Sequence, residues 1–254
     1  TLNVPRYIKG KATSMVSNTN EDMLFVLTDG TFTTPTCYIY KYLRQQGEAL
    51  QISWSKWEFP NCDKILSIGT IESTVYWVMK RGALITLEKM QLQESPEVTA
   101  TGKMVYLDAL RTGTNELTNQ NEVSIDGESF VGYPYTMSYT FSTQYKRSQG
   151  MGNSQLTDTS GRLQMRSFKI LYENTGRFTV NTSSQGANNS YEYTGEALGL
   201  QTLGQVALES GVFQFPVQSK NDRLTITVSN ATHYPSAFQS AEWTGFYTTL
   251  SRRI

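Results

Sequence analysis

The sequence predicts an all-β protein that contains part of a β-propeller, about two blades, and an antiparallel β-sandwich-like domain. Aromatic residues make up 12% of the 254 residues and charged residues 17%, with 15 Tyr and 11 Phe. Aromatic and β-branched side chains suit the pleated surface of a sheet. Short strand-like runs separated by turn sequences recur along most of the chain, a spacing typical of all-β folds.

Residues 1–94 are predicted to form propeller blades. The predicted strands are 23–28, 37–43, 51–59, 64–70, 74–80 and 83–92. The turn sequences Asp29-Gly30 and Arg81-Gly82 lie roughly 50 residues apart, the period of a kelch-like repeat with a four-stranded blade. Because two blades cannot close a propeller, we expect the remaining blades upstream of this chain.

Residues 95–127 are interpreted as a connector. Their apolar signal is limited to one short run at 104–110, and a polar stretch, RTGTNELTNQNE, follows it. Clusters of Thr, Asn and Gly between periodic segments are typical of loops.

Residues 128–254 are predicted to form the sandwich-like domain. The clearest alternation is at 132–143, where the aromatic residues and Met137 would share a buried face. Further strands are predicted at 162–172, 177–181, 212–217, 224–228 and 243–250, with turns at 174–176 and 210–211. In the first of these strands, Leu163 and Met165 would point to one side, and Phe168, Ile170 and Tyr172 to the other. A bulge near Arg166 would turn both groups to the same side. The polar stretch 144–160 predicts a mobile loop, and 196–208 is the one place for a short helix.

The charge balance and the cysteines exclude several classes of protein. Lys+Arg 22 and Asp+Glu 22 give no net charge, whereas a free nucleic-acid-binding domain carries a basic surplus. Cys37 and Cys62 are too few for a disulfide framework or a zinc site, and we expect both to be small buried hydrophobes rather than disulfide partners.

The chain shows neither a membrane-spanning nor a targeting pattern. No apolar stretch approaches the roughly 20 residues that cross a bilayer as a helix. The sequence begins with Thr1 and lacks the basic and apolar segments of a signal peptide. We therefore interpret it as a piece of a longer polypeptide.

Catalytic, cofactor and metal sites are all predicted to be absent. His233 is the single histidine and lies in a Thr-His-Tyr-Pro turn, with no nucleophile motif that would build a catalytic triad on it. Paired carboxylates could still serve a glycosidase, which often uses a propeller scaffold. The candidates near turns are Asp22, Asp29, Glu58, Asp63 and Glu72. The favoured interpretation is that they cap backbone N–H groups at those turns.

Clustered aromatic residues allow a second alternative. Tyr38, Tyr40 and Tyr42 share one strand face, and Trp54 and Trp57 follow shortly after. Such rings could stack on sugars, or they could fill the space between packed sheets, where each buries a large area. The inter-sheet core is the favoured interpretation.

Several strings resemble one known family in the same order along the chain. VPRYIKGK, MLFVLTDG and CYIYKYLRQQGEALQISWSKWEF resemble the propeller portion of the tail nozzle protein, or tail tubular protein B, of short-tailed podoviruses. FVGYPY, GRLQMRSFKILYENTGRF, GVFQFPV and EWTGFYTTLSRRI resemble its C-terminal part. The chain departs from the family after VYLDAL, where a longer insertion is expected.

The resemblance implies a structural virion protein without enzymatic activity, located at the distal tail. It would form part of the nozzle of the DNA-ejection channel as a hexameric ring, next to the tail adaptor ring and the tail fibres. DNA would pass through the channel without specific binding. The alternative function is a glycan-binding or glycan-hydrolysing β-propeller that acts on the host cell surface.

Overall fold

The protein is all-β, as its sequence predicts. A computed structural model describes residues 7–28, 34–45, 48–93, 99, 102–112, 120–149, 155–159, 161–184, 186–195 and 207–249. These residues form antiparallel sheets and a 3-10 turn, Asn221–Arg223. Among them, no helix is long and apolar enough to cross a membrane. The chain divides into two compact units, Thr1–Val98 and Thr99–Ile254.

The first unit contains two antiparallel sheets. One has the order β1-β2-β3-β4, with β1 at Ala12–Asn18, β2 at Met23–Thr28, β3 at Thr36–Gln45 and β4 at Glu48–Glu58. The other has the order β5-β6-β7, with β5 at Lys64–Ile71, β6 at Thr74–Arg81 and β7 at Leu84–Gln91. The predicted β2–β3 and β6–β7 hairpins are confirmed by their registers. The sequence did not predict β1, because ATSMVSN has few apolar residues.

One turn of this unit depends on glycine. Gly82 has φ +60° and is the first central residue of the two-residue turn between Arg81 and Leu84. Two-residue hairpin turns need a positive φ at this position, which glycine adopts without strain. The other turn of the repeat, Asp29-Gly30, lies outside the described residues.

A single core cluster joins the two sheets of the first unit. Its buried members are Phe25, Leu27, Cys37, Ile39, Phe59, Cys62, Val75, Trp77 and Met79. Both cysteines are buried here as free thiols, as predicted. Burial raises the pKa of Cys37 to about 12, so its thiol stays protonated and packs as an apolar group.

The second unit begins with a three-stranded sheet of order β8-β10-β9. Its strands are β8 at Asp108–Thr112, β9 at Asn121–Ile125 and β10 at Glu128–Tyr133. Asp126 and Gly127 join β9 to β10 with φ +53° and +85°, the values of a type I′ turn. Two stretches of the predicted connector, residues 95–127, are therefore strands. The boundaries at 94 and 127 stay a prediction.

The rest of the second unit contains two larger sheets and a separate hairpin. Their orders are β11-β18-β15-β16, β17-β14-β19 and β12-β13. The strands are β11 at Met137–Thr140, β12 at Lys146–Gln149, β13 at Gln155–Asp158, β14 at Gly161–Thr175, β15 at Arg177–Ser184, β16 at Ala187–Thr194, β17 at Glu209–Lys220, β18 at Thr225–Asn230 and β19 at Ala237–Thr249.

A bulge in β14 confirms the sequence prediction at Arg166. The pairings of β14 with β17 and with β19 both shift register between Met165 and Ser167. In a regular strand, Met165 and Phe168 would point to opposite faces. The extra residue at the bulge shifts this alternation by one, so both side chains point into the same core.

Aromatic rings fill much of the core of the two larger sheets. Phe178 is 1% exposed. Its ring lies 4.9 Å from that of Tyr193, 5.1 Å from Phe238, 5.2 Å from Phe213 and 5.8 Å from Tyr172. Strands from both sheets thus meet at one side chain.

Several sequence predictions in this unit are wrong. The predicted mobile loop 144–160 contains the β12–β13 hairpin, because backbone pairing such as Lys146↔Asp158 needs no apolar alternation. The predicted strand 132–143 is interrupted at Pro134, which has no N–H for a ladder, and Tyr139 in β11 is 58% exposed. The predicted turn at 210–211 lies inside β17. Most of the possible helix at 196–208 lies outside the described residues.

Candidate functional site

His233 has a packing role in the structure. Its ring lies 4.3 Å from that of Tyr234, and its backbone carbonyl accepts a hydrogen bond from the N–H of Tyr106 at 2.9 Å. Nε2 is buried and has no hydrogen-bond partner in the part of the chain that the structure describes. Burial lowers the pKa of His233, because the charged imidazolium is poorly solvated there.

This lowered pKa predicts a pH-dependent stability of the second unit. The unfolded state binds the proton of His233 more tightly than the folded state does. The stability that depends on a neutral His233 is therefore fully present above the unfolded pKa of 6.5 and is lost as the pH falls through the lower folded pKa. We expect His233→Asn to flatten the slope of unfolding free energy against pH as the pH falls below about 6.5. Urea denaturation across this range measures it. Equal slopes in both proteins would contradict the prediction.

The turn carboxylates that could have formed a hydrolytic pair have structural contacts. Asp63 Oδ2 accepts a hydrogen bond at 2.7 Å from the N–H of Gly82, so it caps the β6–β7 turn. Glu58 pairs with Lys56 at 2.6 Å on the exposed part of β4. Both carboxylates therefore stabilise local structure.

Asp22 and Glu72 lie in turns with left-handed backbone. Their φ angles are +52° and +51°. The carbonyl of Asp22 accepts the N–H of Tyr42, and the carbonyl of Glu72 accepts Nδ2 of the buried Asn18. Both contacts use the backbone carbonyl and not the carboxylate, so the capping role of these two carboxylates stays a prediction. Asp29 lies outside the described residues.

The aromatic residues of β3 and β4 lie on both faces of their sheet. Tyr38, Tyr40 and Tyr42 point away from the core cluster. Trp54 joins them, with its ring 4.9 Å from that of Tyr40. Trp57 points the other way and packs against the core. Tyr38, Tyr40, Tyr42 and Trp54 are called the aromatic face below.

The outer face of β5-β6-β7 carries a group of apolar residues, two of which are largely exposed to solvent. Val75, Trp77 and Met79 point into the core cluster, so the alternate residues of the sheet point outward. Ile85 and Leu87 on this outer side are 66% and 72% exposed. On β6, Val78 pairs with Leu87, and Tyr76 lies two residues before Val78 on the same side of the strand. Lys80 and Lys89 border this group, opposite Ile85 and Tyr76 respectively. These residues, Tyr76, Val78, Ile85 and Leu87, are called the aliphatic face.

The sheet β11-β18-β15-β16 has an outer face of hydroxyl and amide groups. Phe178, Val180, Ile226 and Val228 point into the core, so the alternate positions point outward. The outward residues include Ser138, Thr140, Thr179, Asn181, Ser183, Asn188, Ser190, Thr225, Thr227 and Ser229. Among the described residues of this hydroxyl face, the charged side chains are Arg177 and Glu192, which form an ion pair.

Sequence reasoning missed these two outer faces, although both left a signal. Strand β7 has apolar side chains on both of its faces, with Leu84 on one and Ile85 and Leu87 on the other. This pattern indicates a strand that is covered on two sides. The segments TITVSN and RFTVNTSS alternate apolar residues with Ser, Thr and Asn.

The chain matches a known family over its whole length. The sequence profile of a family described as bacteriophage nozzle protein matches residues 1–125 and 99–254. The chain belongs to this family. It is a structural protein of the phage tail and is located in the virion, as the sequence resemblance implied.

The nozzle-family chain is also similar to a curated protein. Tail tubular protein gp12 of Escherichia phage T7 is 24% identical over 308 aligned residues, which cover 100% of this chain and 38% of that protein. The nozzle-family chain therefore spans 38% of the length of this relative. The alternative of a glycan-acting propeller receives no support from these comparisons.

Proposed function

We propose that the chain forms part of the wall of the tail nozzle, in a hexameric ring around the channel through which DNA leaves the virion. It acts as a scaffold at the distal tail, without enzymatic activity or cofactor, and contacts the tail adaptor ring and the tail fibres. The family match across both units is the observation that carries this proposal. The similarity to a tail tubular protein supports it.

The first unit is proposed to be two blades of a β-propeller, followed by a connector and a sandwich-like domain. Neighbouring propeller blades pack face to face, as the two sheets of this unit do around Trp77. The aromatic and aliphatic faces would then pack on further blades. Burial of apolar surface stabilises by about 25 cal/mol per Å², which favours covering the aliphatic face in the whole protein. Those blades would come from the part of the nozzle protein outside this chain.

The hydroxyl face is proposed to line the channel. Cationic side chains would displace the counterions of DNA and hold its phosphates, which would slow the passage of the genome. Carboxylates would repel those phosphates. Neutral hydroxyl and amide groups do neither, so this face suits a conduit that binds no particular sequence.

Lysine substitution tests the conduit role of this face. Virions that carry Asn181→Lys together with Thr140→Lys should release DNA more slowly than wild type at low salt, and added salt should reduce the difference. Release is followed with a dye that fluoresces on free DNA. The matched control is Val212→Lys with Gln214→Lys, which adds the same charge to exposed positions of β17 in the other sheet. Equal release rates for both variants would contradict the placement of the hydroxyl face at the channel.

A further inference from the structure

Strand β19 is a long edge strand. It has 13 residues and pairs with β14 alone among the described strands. One side of an edge strand presents N–H and C=O groups that lack ladder partners, and another strand can pair with them. The length of β19 therefore makes its outer edge a large potential pairing site.

The sequence of β19 lacks the features that usually protect an edge. Its residues AFQSAEWTGFYTT include a single charged residue, Glu242, and neither Lys nor Pro. The opposite edge of the same sheet, β17, contains Pro216 and has φ +36° at Gln218. In the facing sheet, the edge strand β11 has only 4 residues. Proline, kinks and short length all prevent unwanted strand pairing.

The core is also open along β19. Ala241, Trp243 and Gly245 pair with Ile170, Phe168 and Met165, whose side chains point into the core. Ala241 and Gly245 are nevertheless exposed, and Trp243 is only half-buried. An added strand would therefore cover this margin of the core as well as the backbone edge.

We propose that the outer edge of β19 pairs with an edge strand of a second copy of this chain. This inference rests on the proposed ring, in which every copy meets a neighbour that offers the same surfaces. Two identical copies repel each other when an interface carries many like charges, and β19 has one charged residue. A sheet that continues from copy to copy would also leave no gap in the wall of a conduit.

Hydrogen exchange and sedimentation of the full chain over a concentration series test this inference. We expect association to rise with concentration and the amides of β19 to become protected in parallel. Ala241→Lys places a charge on the core-facing side of the edge and should weaken association about tenfold or more, because that charge would be buried without a partner. Ser129→Lys adds the same charge to an exposed position of the central strand β10 and should leave association unchanged.

Each of the other outcomes has a distinct meaning. Association without added protection of β19 would overturn the edge pairing but leave the proposed ring intact. Protection of β19 already at the lowest concentration would show that a segment of the same chain covers the edge, which also overturns the inference. A chain that stays monomeric at the highest concentration overturns it too, whereas the location of the protein in the virion tests the proposed function separately.

Discussion

Replacement of Arg81 by methionine is expected to lower the free energy of unfolding of the first unit by about 3–5 kcal/mol. Arg81 Nε and Nη2 donate to the two carboxylate oxygens of Glu88 at 2.9 and 3.0 Å. Nη1 donates to the carbonyl of Asn61 at 2.7 Å. The side chains of Arg81 and Glu88 are only 4% and 13% exposed. Loss of the guanidinium leaves a nearly buried carboxylate without its cation.

A double variant separates the loss of a partner from the net value of the pair. Arg81→Met with Glu88→Leu should recover most of the lost stability, because apolar residues of similar size often replace a buried ion pair without cost. The exposed pair Lys56–Glu58 is the control, and Lys56→Met should change stability by less than about 1 kcal/mol. Urea denaturation in a Trp243→Phe background assigns tryptophan fluorescence to the first unit. Equal effects of Arg81→Met and Lys56→Met would contradict the prediction.

Truncation of Phe178 to alanine is expected to destabilise the second unit by about 3–5 kcal/mol. The ring is buried and contacts aromatic residues from both large sheets, including Tyr193 and Phe213. Its removal leaves a cavity where strands of the two sheets meet, and their rings lose edge-to-face contacts.

The control for this variant is an aromatic residue on the surface of the same unit. Phe246 is 58% exposed and contacts Arg166 through its ring. Phe246→Ala should therefore change the free energy of unfolding by less than about 1 kcal/mol. Hydrogen exchange of the backbone amides of β15 in increasing urea measures the stability of this unit separately from the first. A loss for Phe178→Ala as small as the loss for Phe246→Ala would mean that the core can collapse around the missing ring.

The sequence predicted strands best where one face is apolar and the other polar. The bulge at Arg166 was predictable because Leu163 and Met165 differ in parity from Phe168 and Ile170, and the register confirms it. The Asp126-Gly127 sequence is a strong signal for a hairpin turn, and it lies in the segment 95–127 that was predicted to be a connector. The polar residues around this turn obscured the strands on either side of it. Strand β16, ANNSYEYT, is missed for the same reason, since it buries little besides Tyr191 and Tyr193.

The outer surfaces were harder to predict than the strands. Alternation shows which residues share a face, but it does not show whether another sheet covers that face. Tyr40 and Trp57 are both aromatic residues of the same sheet, yet only Trp57 joins the core cluster. The exposure of Ile85 and Leu87 likewise depends on which sheets are present, and local sequence does not encode that.

The most direct test of the nozzle assignment is a cryo-electron microscopy reconstruction of the tail of virions that carry this chain. We predict a hexameric ring at the distal end of the tail whose wall contains both units, with the hydroxyl face toward the channel. Density for the chain elsewhere in the virion, or as a single copy away from the channel, would contradict the account.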